Sequence, residues 1–340
     1  MKTLFSFAVL AFAVTTSSLV APATAAGPLA AIVPAAEKEG TVVWYESSPD
    51  NQADKIIAAF NKRYPSIKLV HVRSIGGLDI GARVLQETQA HAATADVATT
   101  GADQATKVHE RGETIDVNWA ALGVPKVVVP EPWAVITAAS LYAIQYNTQA
   151  VSEKDAPRNW DDLLDAKWKG KLGVWVNAHP FAQVEKVWGA TRTTQYVQRF
   201  AAQNPQLYRS TFPLAQAVAA GVVPVALGIW HAGLVPIRAG APMKQLLLDP
   251  LPISPVFSWI PKAAPHPNAA RLLIAWLATK EGEAAYAEAT GRGNPYLDSE
   301  TAHLIQGKTI SVFPLSETAA FSQWLEKYNA VLKNGGKSAG

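Results

Sequence analysis

The chain has 340 residues, 49% of them hydrophobic and 17% charged, and it contains no cysteine. That length allows two domains with a proper core in each, and the missing thiols exclude disulfides, zinc–thiolate sites, iron–sulfur clusters and a cysteine nucleophile. The formal charge is only +3, from 30 Lys+Arg against 27 Asp+Glu, and no basic block appears, so no nucleic-acid partner is expected.

Residues 1–26 (MKTLFSFAVLAFAVTTSSLVAPATAA) read as a cleaved secretory signal. Lys2 supplies the positive end, Leu4 to Val14 the apolar stretch and Ala23-Thr24-Ala25 the small-x-small cleavage site. The apolar run breaks at Thr15-Thr16-Ser17-Ser18, short of the roughly 20 residues a membrane anchor needs.

The mature chain begins with a strand-like run, Thr41 to Tyr45, followed by Ile56, Phe60 and Tyr64 at helical spacing. That helix is expected to stop at Tyr64-Pro65, because proline disfavours helical geometry in the residue before it. Ile67 to Val72 alternates like a second strand, Gly76-Gly77 marks a turn into a helix near Asp79 to Ala90, and Asp96-Val97-Ala98 reads as a third strand. Strand–helix alternation of this kind predicts βαβ units and a mostly parallel sheet.

The proline-bounded run Val127 to Trp133 suits an extended crossing between two lobes. A second α/β region follows, with strands at Leu141 to Tyr146, Leu172 to Val176 and Val222 to Leu227, and a helix near Pro180 to Trp188. An apolar run at Pro255 to Ile260 precedes one amphipathic helix over Ala269 to Ala289, with Leu272, Leu273, Trp276, Leu277, Gly282 and Tyr286 on its periodic face. A last helix is expected over Glu317 to Leu332.

Several strings resemble the extracellular solute-binding proteins of family 1, the periplasmic components of ABC importers of the ferric-iron, spermidine and phosphate-ester type. They are Val42 to Ser48, Ala59 to Leu69 with its Phe60…Tyr64-Pro65, Ala95-Asp96-Val97, Tyr146-Asn147-Thr148, Asn159-Trp160-Asp161-Asp162-Leu163-Leu164 and Lys167-Trp168-Lys169-Gly170-Lys171. The resemblance implies an α/β fold of the type II periplasmic binding class, two lobes joined by hinge strands and closing on a ligand between them. Lobe 1 is expected at 27–130 plus 252–300, and lobe 2 at 131–251 plus 301–340.

The same resemblance points to four cleft-facing loops. Ser47 and Ser48 offer hydroxyls to the ligand, or else cap the next helix. Gly76 and Gly77 permit close backbone approach, or else form a plain turn. Asp103 follows the third strand and is either a ligand contact or a helix cap. Asn177 and His179 follow the Leu172 to Val176 strand. Where ferric-binding relatives carry adjacent tyrosines, this chain has Ile229-Trp230-His231. Indole offers only an N–H donor and is no metal ligand, so iron is disfavoured, and neither a metal nor a cofactor is expected. Trp230 and His231 suit an organic ligand, with Trp44 either a facing aromatic wall or a core residue. A small organic anion ranks first, and an organic cation, held by Glu46 and Asp103 with Trp44 or Trp230, ranks second.

No G-x-S-x-G, H-E-x-x-H or G-x-x-x-x-G-K-[ST] motif is present, and the enzyme-class alternative, a secreted hydrolase, has no motif behind it. The expectation is a monomeric periplasmic receptor, not an enzyme, that hands a small solute to an ABC permease in the inner membrane. With no cysteine to carry a lipid, it is expected to be soluble and unanchored.

Overall fold

The computed structural model describes residues 27–74 and 80–335, and the backbone of 337–338. The signal segment 1–26 and the turn Gly76-Gly77 lie outside the described residues.

Helix α1 (Val33–Glu39) leads into β1 (Thr41–Glu46), α2 (Asp50–Arg63), β2 (Lys68–Arg73), α3 (Ile80–Gln89), β3 (Val97–Thr100) and α4 (Ala102–His109). β1 pairs in parallel with both β2 and β3. α2 forms because Ala53, Ile56 and Phe60 share one buried face, with Asp50 in its first turn and Lys62 and Arg63 in its last. Those charges complement the helix dipole, and the helix ends before Tyr64-Pro65 as the sequence predicts.

The expected crossing at Val127 to Trp133 is instead irregular, with a short 3-10 turn at Lys126–Val128. The crossing element is β4 (Ala134–Asn147), fourteen residues buried throughout. β5 (Leu172–Trp175), α5 (His179–Trp188), α6 (Ala190–Ala202), β6 (Gln206–Tyr208), α7 (Thr211–Ala219), β7 (Val225–Ile229), α8 (Trp230–Arg238) and β8 (Met243–Leu247) build the second lobe. β9 (Leu251–Trp259) then returns antiparallel along β4. It is followed by α9 (Pro267–Leu277), α10 (Lys280–Thr290), α11 (Glu300–Leu304), β10 (Ile310–Ser311), α12 (Thr318–Gly335) and β11 (Lys337–Ser338).

The strand order is β11-β6-β5-β7-β4-β9-β3-β1-β2, with β8 on β4 and β10 on β9. Residues 134–141 of β4 pair with β9, and residues 142–147 pair with β7 and β8. Trp133 to Ala138 pack in one core with Trp44, Phe60, Trp259 and Trp276, while Tyr142, Ile144 and Tyr146 belong to a second core with Trp160, Phe181 and Phe200. The change of core therefore falls inside β4, not at its start. A third crossing runs alongside, where Asn294 Nδ2 donates to the Ile136 carbonyl at 2.8 Å and Ala139 N to the Gly293 carbonyl at 3.0 Å.

Two motif strings have structural work of their own. Trp160 Nε1 donates to the Pro250 carbonyl at 3.0 Å, and its ring packs edge-on against Trp188 and Tyr196. Asn147 is buried, donating to the Val218 and Ala219 carbonyls and accepting from the Gln149 and Ala150 N–H groups.

The single helix expected over Ala269 to Ala289 is two helices. Thr279 breaks the run, its hydroxyl accepting from Gly282 N at 3.1 Å and donating to the Trp276 carbonyl at 2.6 Å. Gly282 is required there, since a Cβ would lie 2.0 Å from that carbonyl oxygen. The periodic pattern survives the break because both helices pack on the same core.

α9 has no capping side chain from its own N-terminal residue. Glu39 supplies the cap from α1, accepting from Asn268 N at 2.9 Å, Ala269 N at 2.7 Å and Asn268 Nδ2 at 2.7 Å. Glu39→Ala is expected to cost about 1–2 kcal/mol, the range for loss of a helix cap. Urea unfolding measures it, and an unchanged midpoint would show that the cap is dispensable.

Candidate functional site

The end of β1 and the first turns of α4, α5 and α8, which follow β3, β5 and β7, bring Glu46, Asp103, His179 and His231 to the seam between the lobes. Helix N-termini carry unpaired N–H groups and a partial positive charge, which suits anions.

Glu46, the last residue of β1, is 1% exposed. It accepts from Ser48 N at 2.5 Å, from Tyr286 Oη at 3.1 Å and from Arg292 Nη1 at 3.4 Å. His71 Nε2 stands 3.8 Å away, beyond hydrogen-bonding distance. Burial drives the Glu46 pKa upward, but the His71 imidazole, the Arg292 charge and the Ser48 backbone and hydroxyl outweigh it and hold the carboxyl at about 2. Glu46 is therefore a buried carboxylate at neutral pH.

Arg292 joins the two lobes. While Nη1 meets Glu46, Nε and Nη2 lie 3.2 and 3.0 Å from His231 Nε2 on α8. Burial, and then the Arg292 charge, push the His231 pKa well below its usual value. The imidazole is thus neutral, with Nε2 accepting and the proton on Nδ1, which is buried without a hydrogen-bond partner among the described residues. Arg73, in register with Glu46 on β2, likewise buries its Nε without a partner among the described residues.

The other end of the seam lies between α4 and α5. Asp103 sits in the first turn of α4, half-buried, and its carboxylate makes no hydrogen bond among the described residues. It faces a cavity of about 30 Å³ lined also by His179, Gln183, Phe257, Phe313 and Phe321. His179 is stacked on Trp175 and oriented by a hydrogen bond between its Nδ1 and Asn177 Oδ1. Burial lowers the His179 pKa, against the opposing charge of Asp103. Tyr142 links the two ends: its hydroxyl pairs with Ser254 at 3.1 Å, and burial raises its pKa, with Arg292 opposing and Asp103 assisting.

The structure redistributes several expected contacts. Trp44 is fully buried, its Nε1 donating to Thr99 Oγ1 at 2.7 Å and its ring packing against His71 and Tyr286; it is a core residue and not a cleft wall. Ser48 is buried and bonded to Glu46, and Pro49, not a serine, holds the N-cap position of α2. Ser47 is exposed at the rim, with Oγ 3.4 Å from Glu46. Asp103 does not cap α4, whose N-cap is Gly101. Trp230 packs on Leu141, Leu251, Ile253 and Ile305 and lines a groove along β8 with Leu234 and Leu247. Adjacent helix residues diverge by about 100°, which separates the Trp230 indole from His231. Arg292 and Tyr142 were not singled out in the sequence; the flanking glycines of Gly291-Arg292-Gly293 are the only local hint.

No group of three or more His, Asp or Glu side chains among the described residues is placed to hold a metal ion, and no described helix is long and apolar enough to cross a membrane.

The chain matches the family model for bacterial extracellular solute-binding proteins over residues 55–310. No curated protein matches it significantly. Among solved structures, the substrate-binding protein of an ABC transporter from Agrobacterium tumefaciens superposes with a TM-score of 0.74 at 19% identity, covering 86% of this chain and 94% of that one. Iron-bound HitA from Pseudomonas aeruginosa gives 0.71 at 17% identity, covering 86% and 99%. AfuA from Actinobacillus pleuropneumoniae with fructose-6-phosphate gives 0.69 at 18%, covering 86% and 99%. At these identities the likeness establishes the two-lobed fold.

The Glu46 cluster makes stability depend on pH. Its folded pKa of about 2 lies below the usual 4.5, so its contribution is complete above pH 4.5 and is lost as pH falls toward 2. At about 1.4 kcal/mol per unit this amounts to about 3–4 kcal/mol. His231, also lowered, adds a loss that begins below its unfolded value near 6.5. Urea midpoints measured from pH 8 down to 2 should decline first below about 6.5, from His231, and again below 4.5, from Glu46, and Glu46→Gln should flatten the part below 4.5. An unchanged slope in the variant would remove Glu46 from this role.

Proposed function

The chain belongs to the family of bacterial extracellular solute-binding proteins, and we propose that it is the periplasmic receptor of an ABC importer for a small organic acid. The solute is held between the lobes and passed unaltered to the permease. The receptor works as a monomer, freed from its leader by cleavage and without a lipid anchor.

The observation that supports an acidic solute most strongly is Arg292, which reaches both lobes at once. Closing the lobes brings its guanidinium, Arg73 and the starts of α4, α5 and α8 toward one another. Glu46 offsets the Arg292 charge, and Arg73 on β2 supplies a second guanidinium whose Nε is buried without a partner among the described residues. Buried guanidinium groups favour carboxylate and phosphate because their fork of N–H donors matches two oxygens. Iron is a poor fit: Trp230 and His231 stand where ferric relatives carry tyrosines, and His231 Nε2 is already taken by Arg292.

Thermal unfolding with small carboxylates and phosphate esters tests the reading, since a ligand that binds only the folded state raises Tm. An acid should raise Tm, and Arg292→Ala should weaken its binding about tenfold or more, the loss expected for a charged hydrogen bond. A Tm shift produced only by neutral or cationic solutes would overturn the acidic assignment. Trp230→Ala, on the β8 groove, should leave that affinity within about twofold, because it removes no charged hydrogen bond. Isothermal titration distinguishes the two variants.

A further inference from the structure

The hydrogen bond from Arg292 to His231 crosses the seam, and it depends on the absence of a proton. Arg292 Nε and Nη2 lie 3.2 and 3.0 Å from His231 Nε2, and His231 is only 3% exposed. A guanidinium carries donors alone, so the bond needs the lone pair on Nε2, and a doubly protonated imidazole has none. Protonation would replace the bond by two like charges in the same buried place. Arg292 is the charged group set against the ring. Of the elements packed on α8, α7 and β7 carry no ionisable side chain and β4 brings the phenols Tyr142 and Tyr146. β8 brings Lys244, exposed and paired with Glu153 at 2.9 Å, and α8 itself carries Arg238 in its last turn. Glu46 is bonded to Nη1 of the same guanidinium.

We propose that the Arg292–His231 contact is an acid-released latch: near neutral pH it holds the lobes together, and a proton taken up by His231 parts them and frees the solute. Parting the lobes returns the ring to water, where it titrates near its ordinary value of about 6.5. The open form therefore takes up the proton more readily than the closed one. Each pH unit below about 6.5 shifts the balance toward the open form by up to roughly tenfold. Glu46 stays ionised throughout that range, because its carboxyl is held at about 2. The latch requires no particular solute, so the ligand-free chain tests it, and the acidic-solute reading stands or falls separately.

The chain has no cysteine, so Asn51→Cys at the start of α2 and Arg209→Cys after β6, both exposed, place one dye on each lobe of the full mature chain. Single-molecule energy transfer should show the open population gaining on the closed one by about tenfold or more between pH 7 and pH 5, and reversibly. His231→Gln keeps an acceptor and cannot titrate, so it should hold the ratio within about twofold over that range. His231→Phe has no acceptor and should favour the open form already at pH 7, with no further shift toward pH 5. Circular dichroism at each pH checks that every variant is folded. A native chain whose ratio does not move between pH 7 and pH 5 would overturn the latch. So would a His231→Gln chain that opens over the same range as the native one.

Discussion

β4 is one strand hydrogen-bonded into two sheets, and every relation between the lobes is set by how it passes from one to the other. Its first residues face β9 in the core of Trp44 and Trp259, and its last face β7 and β8 in the core of Trp160 and Phe181. A register shift between Ile136 and Ala138 marks the passage, and bulges of this kind bend a strand and increase its twist. Asn294 ties the third crossing to β4 at the same level. The passage between the lobes is therefore a short stretch of backbone, and each strand end that faces the seam belongs to one lobe or the other.

The charges at that seam follow from this geometry. Glu46 would be costly to bury alone. It is tolerated because Ser48, Tyr286, Arg292 and His71 surround it, and because Arg292 reaches it from the third crossing. Gly291, with φ of +74°, allows the chain to turn tightly against α8: a Cβ there would lie 2.9 Å from Leu234 Cδ1 and 3.4 Å from the His231 backbone. The close approach puts Arg292 within reach of His231. The Glu46–Arg292 ion pair lies on the first lobe and by itself adds little net stability, because desolvation offsets its attraction. What spans the seam is the hydrogen bond between Arg292 and His231 Nε2, which is complete only when both lobes are in place.

Much of the fold was legible because it is written in local patterns. The apolar spacing of Ile56, Phe60 and Tyr64, the proline stop after it and the strand–helix alternation from Thr41 to Gly101 all depend on residues close in sequence. The expected parallel first sheet is present, and the Asn159 to Leu164 string anchors a core through Trp160. The break at Thr279 was hidden because two helices packed on one core keep one periodicity. The crossing strand was misplaced because a proline-rich extended run and a buried strand have similar local signatures. The site was less legible. Trp44 ends a β-branched strand, and nothing local says which face of that strand is core. Arg292 lies 246 positions from Glu46, and no spacing rule connects them.

By itself the sequence determined that this is an α/β protein without thiol chemistry that carries the family strings of a solute receptor. These features rest on composition, periodicity and contiguous motifs, which are properties of neighbouring residues. The tertiary structure decided which polar groups meet: Glu46 with Arg292 and His231, Asp103 with a cavity of aromatic rings, and Trp230 away from both. Those meetings depend on strand order, on the single passage of β4 between sheets and on the return of the chain at Gly291. Such distances are set by packing across the whole fold, so no local reading of the chain contains them.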